Sequence, residues 1–170
     1  MAYTEKDFNL SWGDITIGQA NTLVVTRPSA QYSFRFHYDF QGVSADVTAA
    51  YDPNFGEVFE KKNAAFLNYG VGLCKYTGAR GKSGASDASA ETVGYVRGIF
   101  DRAKVIWQIA ELGKVDAGGG GTVAMYMANR NITTLDAGVP VLAMHAPFEV
   151  VSKLDCYETY KGMKAVYEAE

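Results

Sequence analysis

Short apolar stretches alternate with helical patterns from about residue 43 to the C-terminus, and this alternation constrains the fold more than any other feature. Strands that alternate with helices form α/β domains with at least partly parallel pairing. One apolar stretch, residues 139–144, ends on His145, and open α/β sheets bind their ligands at the carboxyl ends of the strands. On pattern alone, a histidine in this position is more often a hydrogen-bonded structural residue than a metal ligand.

Periodicity and capping residues predict the individual elements of this α/β region. Buried strands are expected at residues 70–75, ending on Lys75, at residues 105–109 and within residues 133–144. Helices are expected after a cap at Ser86-Asp87 as far as about residue 104, from Thr122 to about residue 129, and after Ser152. The first of these helices has a core-facing stripe of Val93, Val96 and Phe100, and the last has one of Leu154, Tyr157, Tyr160 and Met163.

Residues 1–42 show a different, β-rich pattern. Residues 15–18 and 22–26 are rich in apolar and β-branched side chains, and aromatic side chains occupy every second position from Tyr32 to Phe40. His37 and Asp39 project from the opposite face of that aromatic strand. Such a pair can bind a metal ion, but a solvated sheet face is the favoured interpretation.

Two local patterns suggest contact with a ligand. Asp46 is the single carboxylate among the small, mostly apolar residues 43–50, and a buried carboxylate should be paired, hydrogen-bonded or metal-bound. Four glycines at residues 118–121 precede a helix start and leave backbone N–H groups open to a ligand, with a flexible linker as an equal alternative. The basic loop at residues 76–84 fails as a phosphate-binding loop, because Tyr76 stands where that motif requires glycine.

The composition limits the classes of function. A chain of 170 residues suits one domain with a full core, and a formal charge of −3 without a basic block argues against nucleic acid as a partner. No apolar run approaches the roughly 20 residues that cross a membrane, and the N-terminus lacks the apolar core of a signal peptide, so a cytoplasmic protein is expected. Cys74 and Cys156 show no CxxC spacing and are expected to be buried free thiols in a reducing compartment.

A series of short sequence words extends over roughly three quarters of the chain. In chain order the words are Ser44-Ala-Asp-Val47, Asp52-Pro-Asn54, Glu60-Lys-Lys-Asn-Ala-Ala65, Lys75-Tyr-Thr-Gly-Ala-Arg-Gly-Lys-Ser-Gly84, Ser86-Asp-Ala88, Glu111-Leu-Gly-Lys-Val-Asp116, Gly118-Gly-Gly-Gly-Thr122, Met144-His-Ala-Pro-Phe-Glu149 and Ser152-Lys153. Together they resemble the M18 family of zinc aminopeptidases, the aspartyl aminopeptidase and aminopeptidase I type, and they occur in the order of that family.

The resemblance implies an α/β/α sandwich that holds two zinc ions. Residues 43–170 would form the C-terminal part of that catalytic domain, after a β-rich segment at residues 1–42 that has no family match. Asp46 is implied as a ligand of one metal and His145 as a ligand of the other. Lys75 falls near a lysine that contacts acidic substrate side chains, and the loop that lines the substrate cleft is matched by Gly119, Gly120 and Gly121. Peptide substrates and a homo-oligomer are implied as well.

Other residues of the family's site are not recognisable before Asp46: a histidine, a bridging aspartate and a glutamate pair that includes the general base. No catalytic residue is therefore assigned. The first hypothesis is a metalloaminopeptidase that removes N-terminal residues from peptides with two-zinc-activated water. Its site is incomplete in this chain alone, and the missing part either lies on another chain or has been lost. On that hypothesis the isolated chain is expected to be inactive. The alternatives are a non-catalytic remnant that acts in binding or assembly, and a function carried by the aromatic face of the N-terminal segment.

Overall fold

The computed structural model describes residues 15–17, 23–25, 41–78, 86–114, 117 and 119–169. The chain divides into two compact units, Met1–Phe40 and Gln41–Glu170. In the first unit, strands β1 (Ile15–Ile17) and β2 (Leu23–Val25) pair antiparallel. These strands confirm the β pattern predicted there, whereas the predicted aromatic strand with His37 and Asp39 lies outside the described residues. The predicted boundary between residues 42 and 43 stays a prediction.

The described residues of the second unit form two sheets and three helices. Its strands are β3 (Gln41–Ser44), β4 (Thr48–Ala49), β5 (Val71–Cys74), β6 (Trp107–Ile109), β7 (Thr133–Gly138), β8 (Pro140–Leu142) and β9 (Val150–Val151). Its helices are α1 (Ala90–Arg102), α2 (Val123–Ala128) and α3 (Lys153–Tyr167), and a 3-10 helix spans Pro53–Val58.

The larger sheet has the strand order β3-β7-β5-β6, and the smaller has the order β4-β8-β9. Strand β7 runs parallel to β3 and antiparallel to β5, and β5 runs parallel to β6. In the smaller sheet β8 runs parallel to β4 and antiparallel to β9. The mixture of parallel and antiparallel pairs with three helices confirms the predicted α/β class.

The core lies between α1, α3 and the larger sheet. Val96 and Phe100 of α1 are buried there with Leu73 and Leu135 of the sheet, which confirms the predicted inner stripe. The helix begins later than predicted, because the predicted caps are engaged elsewhere. The hydroxyl of Ser86 is hydrogen-bonded to that of Thr77, and Asp87 pairs with Lys75. The helix is capped instead by Ser89, whose hydroxyl accepts a bond from the Thr92 amide at 3.2 Å.

The predicted inner stripe of α3 is wrong at three of its four positions, since only Met163 packs against the core, whereas the predicted cap is confirmed. Ser152 accepts a bond from the Leu154 amide at 3.2 Å, but Leu154, Tyr157 and Tyr160 are 65%, 59% and 61% exposed. The buried positions of the helix are Asp155 and Gly162. A Cβ added at Gly162 would lie 3.0 Å from the ring of Phe100, so the helix approaches α1 too closely for larger side chains at that point.

The strand predicted within residues 133–144 is two strands that belong to different sheets. Strand β7 ends at Gly138 and β8 begins at Pro140. The backbone of Asp46 approaches this junction so closely that a Cβ at residue 138 would overlap the Asp46 carbonyl oxygen. Strand β8 ends at Leu142, and His145 therefore lies in the turn after the strand rather than at its last position.

Both cysteines are free, as predicted, but Cys156 is exposed rather than buried. It lies on α3 next to Asp155, on the side of the helix that faces away from the core. Cys74 is buried at the end of β5. In the described part of the chain, no helix has the length and apolar character that crossing a bilayer requires.

Candidate functional site

A cavity of about 440 Å³ opens at the end of the second unit where loops of both sheets meet. Asp46, which precedes β4, and His145, which follows β8, both line it. The cavity is lined by Asp46, Val47, Ala49, Val58, Phe59, Leu112, Gly113, Gly119, Gly120, Gly121, Thr122, Met144 and His145. The structure thus brings together five of the six residues that the sequence singled out as site candidates.

Asp46 is held at the mouth of the cavity by the backbone around it. Its amide donates to the carbonyl of Ser44 at 3.1 Å, and its carbonyl packs against Gly138, which has no Cβ to obstruct it. The side chain is half-buried, and its Oδ1 accepts a bond from the Val47 amide at 2.8 Å. The carboxylate is therefore oriented by its own turn.

His145 stands in a turn with unusual backbone angles. Both Ala143 and His145 have left-handed φ angles, +56° and +68°. For residues other than glycine, such conformations carry a strain energy on the order of 1–3 kcal/mol, and strained residues of this kind concentrate at functional sites. The carboxylate of Glu149 accepts a hydrogen bond from the His145 amide at 2.5 Å, which stabilises the turn. Glu149 is a positioning contact that the sequence pattern did not reveal, because one carboxylate after a proline is an ordinary loop feature.

The glycine segment, defined here as residues 119–121, is attached to the loop after β5. The amide of Gly78 donates to the carbonyl of Gly120 at 2.9 Å. Gly119 has a φ angle of +104°, and a Cβ there would overlap the carbonyl oxygen of Gly78. Only glycine fits this close approach. The segment is followed by Thr122, which begins α2 as predicted.

A further carboxylate, Asp136, lies beneath the glycine segment. It is buried in β7, and its Oδ2 accepts a hydrogen bond from the hydroxyl of Thr122 at 2.5 Å. Burial raises the pKa of Asp136, the nearby carboxylate of Asp46 adds to the rise, and hydrogen bonding to the hydroxyls of Ser44 and Thr122 opposes it. The sequence carried the same signal here as at Asp46, a single acid in an apolar run.

Lys75 lies apart from this group. It follows β5 and forms an ion pair with Asp87, and both side chains are about half exposed. It does not line the cavity. The charge of this lysine is thus shared with a neighbouring carboxylate rather than directed at the cavity.

The donors at the cavity have the chemistry of zinc ligands but not the number. A carboxylate and an imidazole both bind zinc, and a catalytic site needs three protein ligands for each ion. Within the residues that the structure describes, no three side chains of His, Cys, Asp or Glu lie together in a way that could hold a metal ion. These residues by themselves therefore do not form a zinc site.

The family model described as Aminopeptidase I zinc metalloprotease (M18) matches residues 23–167. The chain belongs to this family. The short sequence motifs from Ser44 to Lys153 lie within the matched region, and so do the residues that line the cavity with Asp46 and His145.

Individual M18 relatives and structures agree with this assignment. A protein of Clostridium acetobutylicum named Probable M18 family aminopeptidase 1 is 50% identical over 128 residues, which make up 75% of this chain and 28% of the relative. Its namesake in Thermotoga maritima is 49% identical over 126 residues, 74% of this chain and 28% of the relative. The crystal structure of an M18 aminopeptidase from Thermotoga maritima matches with a TM-score of 0.72 at 48% identity, and covers 75% of this chain. The chain spans less than a third of the length of these relatives.

Proposed function

We propose that this chain contributes one part of the active site of a zinc aminopeptidase, which removes N-terminal residues from peptides. The observation that carries the proposal is the convergence of Asp46 and His145 on one cavity, from two loops far apart in the sequence. The names of the relatives and of the family support an aminopeptidase rather than another hydrolase.

The residues of this chain have distinct roles in the proposal. Asp46 and His145 each provide one ligand, to different metal ions, and the glycine segment offers backbone groups to the peptide. Two zinc ions, if held by these residues together with further ligands, would supply Lewis-acid chemistry to the scissile carbonyl and to a bound water. The described residues provide a single donor for each ion, and in this proposal the remaining ligands and the base come from another polypeptide. The isolated chain is accordingly inactive in this proposal.

Complementation tests the proposal directly. The purified chain is mixed with a polypeptide of the Thermotoga maritima relative from which the 126 matching residues are deleted, and hydrolysis of aminoacyl-nitroanilides is measured with zinc, cobalt or manganese. We expect no turnover by either component alone and metal-dependent turnover by the mixture. His145→Ala should abolish that turnover, and Lys164→Ala, at an exposed position of α3 that does not line the cavity, is its matched control.

A non-catalytic role in binding or assembly is the alternative. The exposed apolar face of α3, with Leu154, Tyr157 and Tyr160, supports it, because soluble monomers rarely expose contiguous apolar surface. The same face supports the proposal of a homo-oligomer. Light scattering of the purified chain would measure its molar mass, and the mass of a monomer would contradict this proposal. Association of the two components without turnover, under every metal condition, favours the alternative over the enzyme.

We further propose a reducing compartment, the cytoplasm, for this chain. The free thiols of Cys74 and Cys156 support the assignment, since exposed thiols such as Cys156 oxidise in secreted proteins. Fractionation of cells that express the chain tests this assignment. Detection of the chain in the periplasmic or secreted fraction would contradict it.

A further inference from the structure

The hydroxyl of Thr122 does not make the bond that its place in the chain predicts. A threonine at a helix N-cap ordinarily accepts a hydrogen bond from one of the first helical amides. Thr122 caps α2, yet its side chain makes no capping bond. It donates to the carboxylate of Asp136 instead, and both residues are buried. The hydroxyl therefore connects the start of α2 to the sheet rather than to its own first turn.

Asp136 is itself fixed by the sheet. It lies in β7, opposite Ser44 on the parallel neighbour β3 and opposite Cys74 on the antiparallel neighbour β5. Two residues further along, Gly138 supports the backbone of Asp46. Strand β7 therefore makes two contacts near the cavity. Its Gly138 packs against the backbone of Asp46, and its Asp136 binds Thr122, which follows the glycine segment.

The glycine segment has one attachment at each end. Gly78 contacts Gly119 and Gly120 at the first end, and the bond between Thr122 and Asp136 holds the second. Gly121 lies between the two attachments, and a Cβ there would meet nothing within 4 Å. The bond between Thr122 and Asp136 adds a side-chain attachment to the second end of the segment, beside the packing of α2 on β7.

We propose that Asp136 is a positioning residue of the cavity, which holds the glycine segment against the sheet through the hydroxyl of Thr122. A segment ordered in advance presents its backbone to a ligand without the entropic cost of ordering on binding. The inference rests on the proposed function only in taking a peptide as the ligand of the cavity. The positioning itself is a property of this chain.

Amide hydrogen exchange measures the positioning without any need for activity. The reporter is the Gly78 amide, which is bonded to the glycine segment, and the control is the neighbouring Thr77 amide, which is bonded to the Ser86 carbonyl. Thr122→Val should speed exchange at Gly78 by on the order of tenfold and leave Thr77 unchanged. Thr122→Ser keeps the hydroxyl and should restore exchange to that of the wild type.

A double-mutant cycle links the effect to Asp136. Asp136→Ala should speed exchange at Gly78 as much as Thr122→Val does, and the double variant should add nothing further, because both changes remove the same bond. Unchanged exchange at Gly78, or a Thr122→Ser variant that behaves like Thr122→Val, would overturn the proposal. Equal acceleration of exchange at Gly78 and Thr77 would also overturn it. If neither Thr122→Val nor Thr122→Ala folds, the proposal is overturned as well, because the hydroxyl would then support the whole core.

Peptide binding separates this inference from the proposed function. Trialanine is titrated into the labelled chain, and shifts of the Gly120 and Gly121 amides are followed. Binding that weakens several-fold in Thr122→Val supports both proposals. If trialanine shifts neither amide in the wild type, the peptide cavity is contradicted, while the exchange measurements still decide the role of Asp136.

Discussion

At the scale of single residues, burial decides how the two thiols of this chain behave. Cys74 is enclosed in the core, where its Sγ donates to the hydroxyl of Thr48 at 3.3 Å. Loss of hydration raises the pKa of Cys74 from 9.0 to about 12, nearby carboxylates add to the rise, and the bond to Thr48 opposes it. A thiol held protonated in this way is a packing residue, because the thiolate is the form that attacks electrophiles or binds metals.

This shift predicts a loss of stability at alkaline pH. Between pH 9 and 12 the unfolded chain releases the Cys74 proton and the folded chain retains it, so the free energy of unfolding falls as pH rises through that window. The slope from this group approaches about 1.4 kcal/mol per pH unit. Urea denaturation at a series of pH values should show a smaller slope for Cys74→Ala than for the wild type. Cys156→Ala is the matched control, since that thiol is already exposed, and equal slopes for all three proteins would refute the prediction.

At the scale of secondary-structure elements, α3 shows why an apolar stripe does not always mark the buried face. Three of the four side chains of the predicted stripe, Leu154, Tyr157 and Tyr160, are exposed. The inner face carries Asp155, whose carboxylate accepts bonds from the amides of Asn68 at 2.7 Å and Gly70 at 2.8 Å. Periodicity counts apolar residues, and it therefore misses a face that is defined by a buried acceptor and by close backbone packing.

Asp155 should therefore stabilise the protein more than any exposed charge of the same helix. Asp155→Ala leaves the buried amide of Gly70 and the part-buried amide of Asn68 without an acceptor, and an unpaired buried donor costs about 1–3 kcal/mol. We expect the free energy of unfolding, measured by chemical denaturation, to fall by about 2–4 kcal/mol. The control is Lys164→Ala, which removes an exposed pair with Glu168 at 3.8 Å and should cost less than about 0.5 kcal/mol. Similar losses for the two variants would show that the bonds of Asp155 are not what anchors the helix.

At the scale of the whole molecule, the α/β class and the strand-helix order were predictable because they follow from local periodicity. Local pattern likewise gave the fully buried strand β5 and the cap at Ser152. The division of residues 133–144 between two sheets was not predictable, since it depends on a backbone contact between Asp46 and Gly138 that lies outside any local window. The cavity contains residues of both kinds. Asp46 and His145 were predictable from sequence motifs, whereas the roles of Asp136 and Glu149 depend on hydrogen bonds that appear only in the folded chain.

The ligand count of the folded chain leads to a prediction about metal content. Asp46 and His145 line one cavity, but among the described residues one carboxylate and one imidazole fall short of the three protein ligands that a catalytic zinc requires. We therefore expect metal analysis of the purified, dialysed chain to find well below one zinc per molecule. Asp46→Asn and His145→Ala should change that content little, because neither ligand holds an ion tightly by itself. A stoichiometry of two tightly bound zinc ions in the isolated monomer would refute the prediction, and loss of that zinc in both variants would show that this chain completes the site alone.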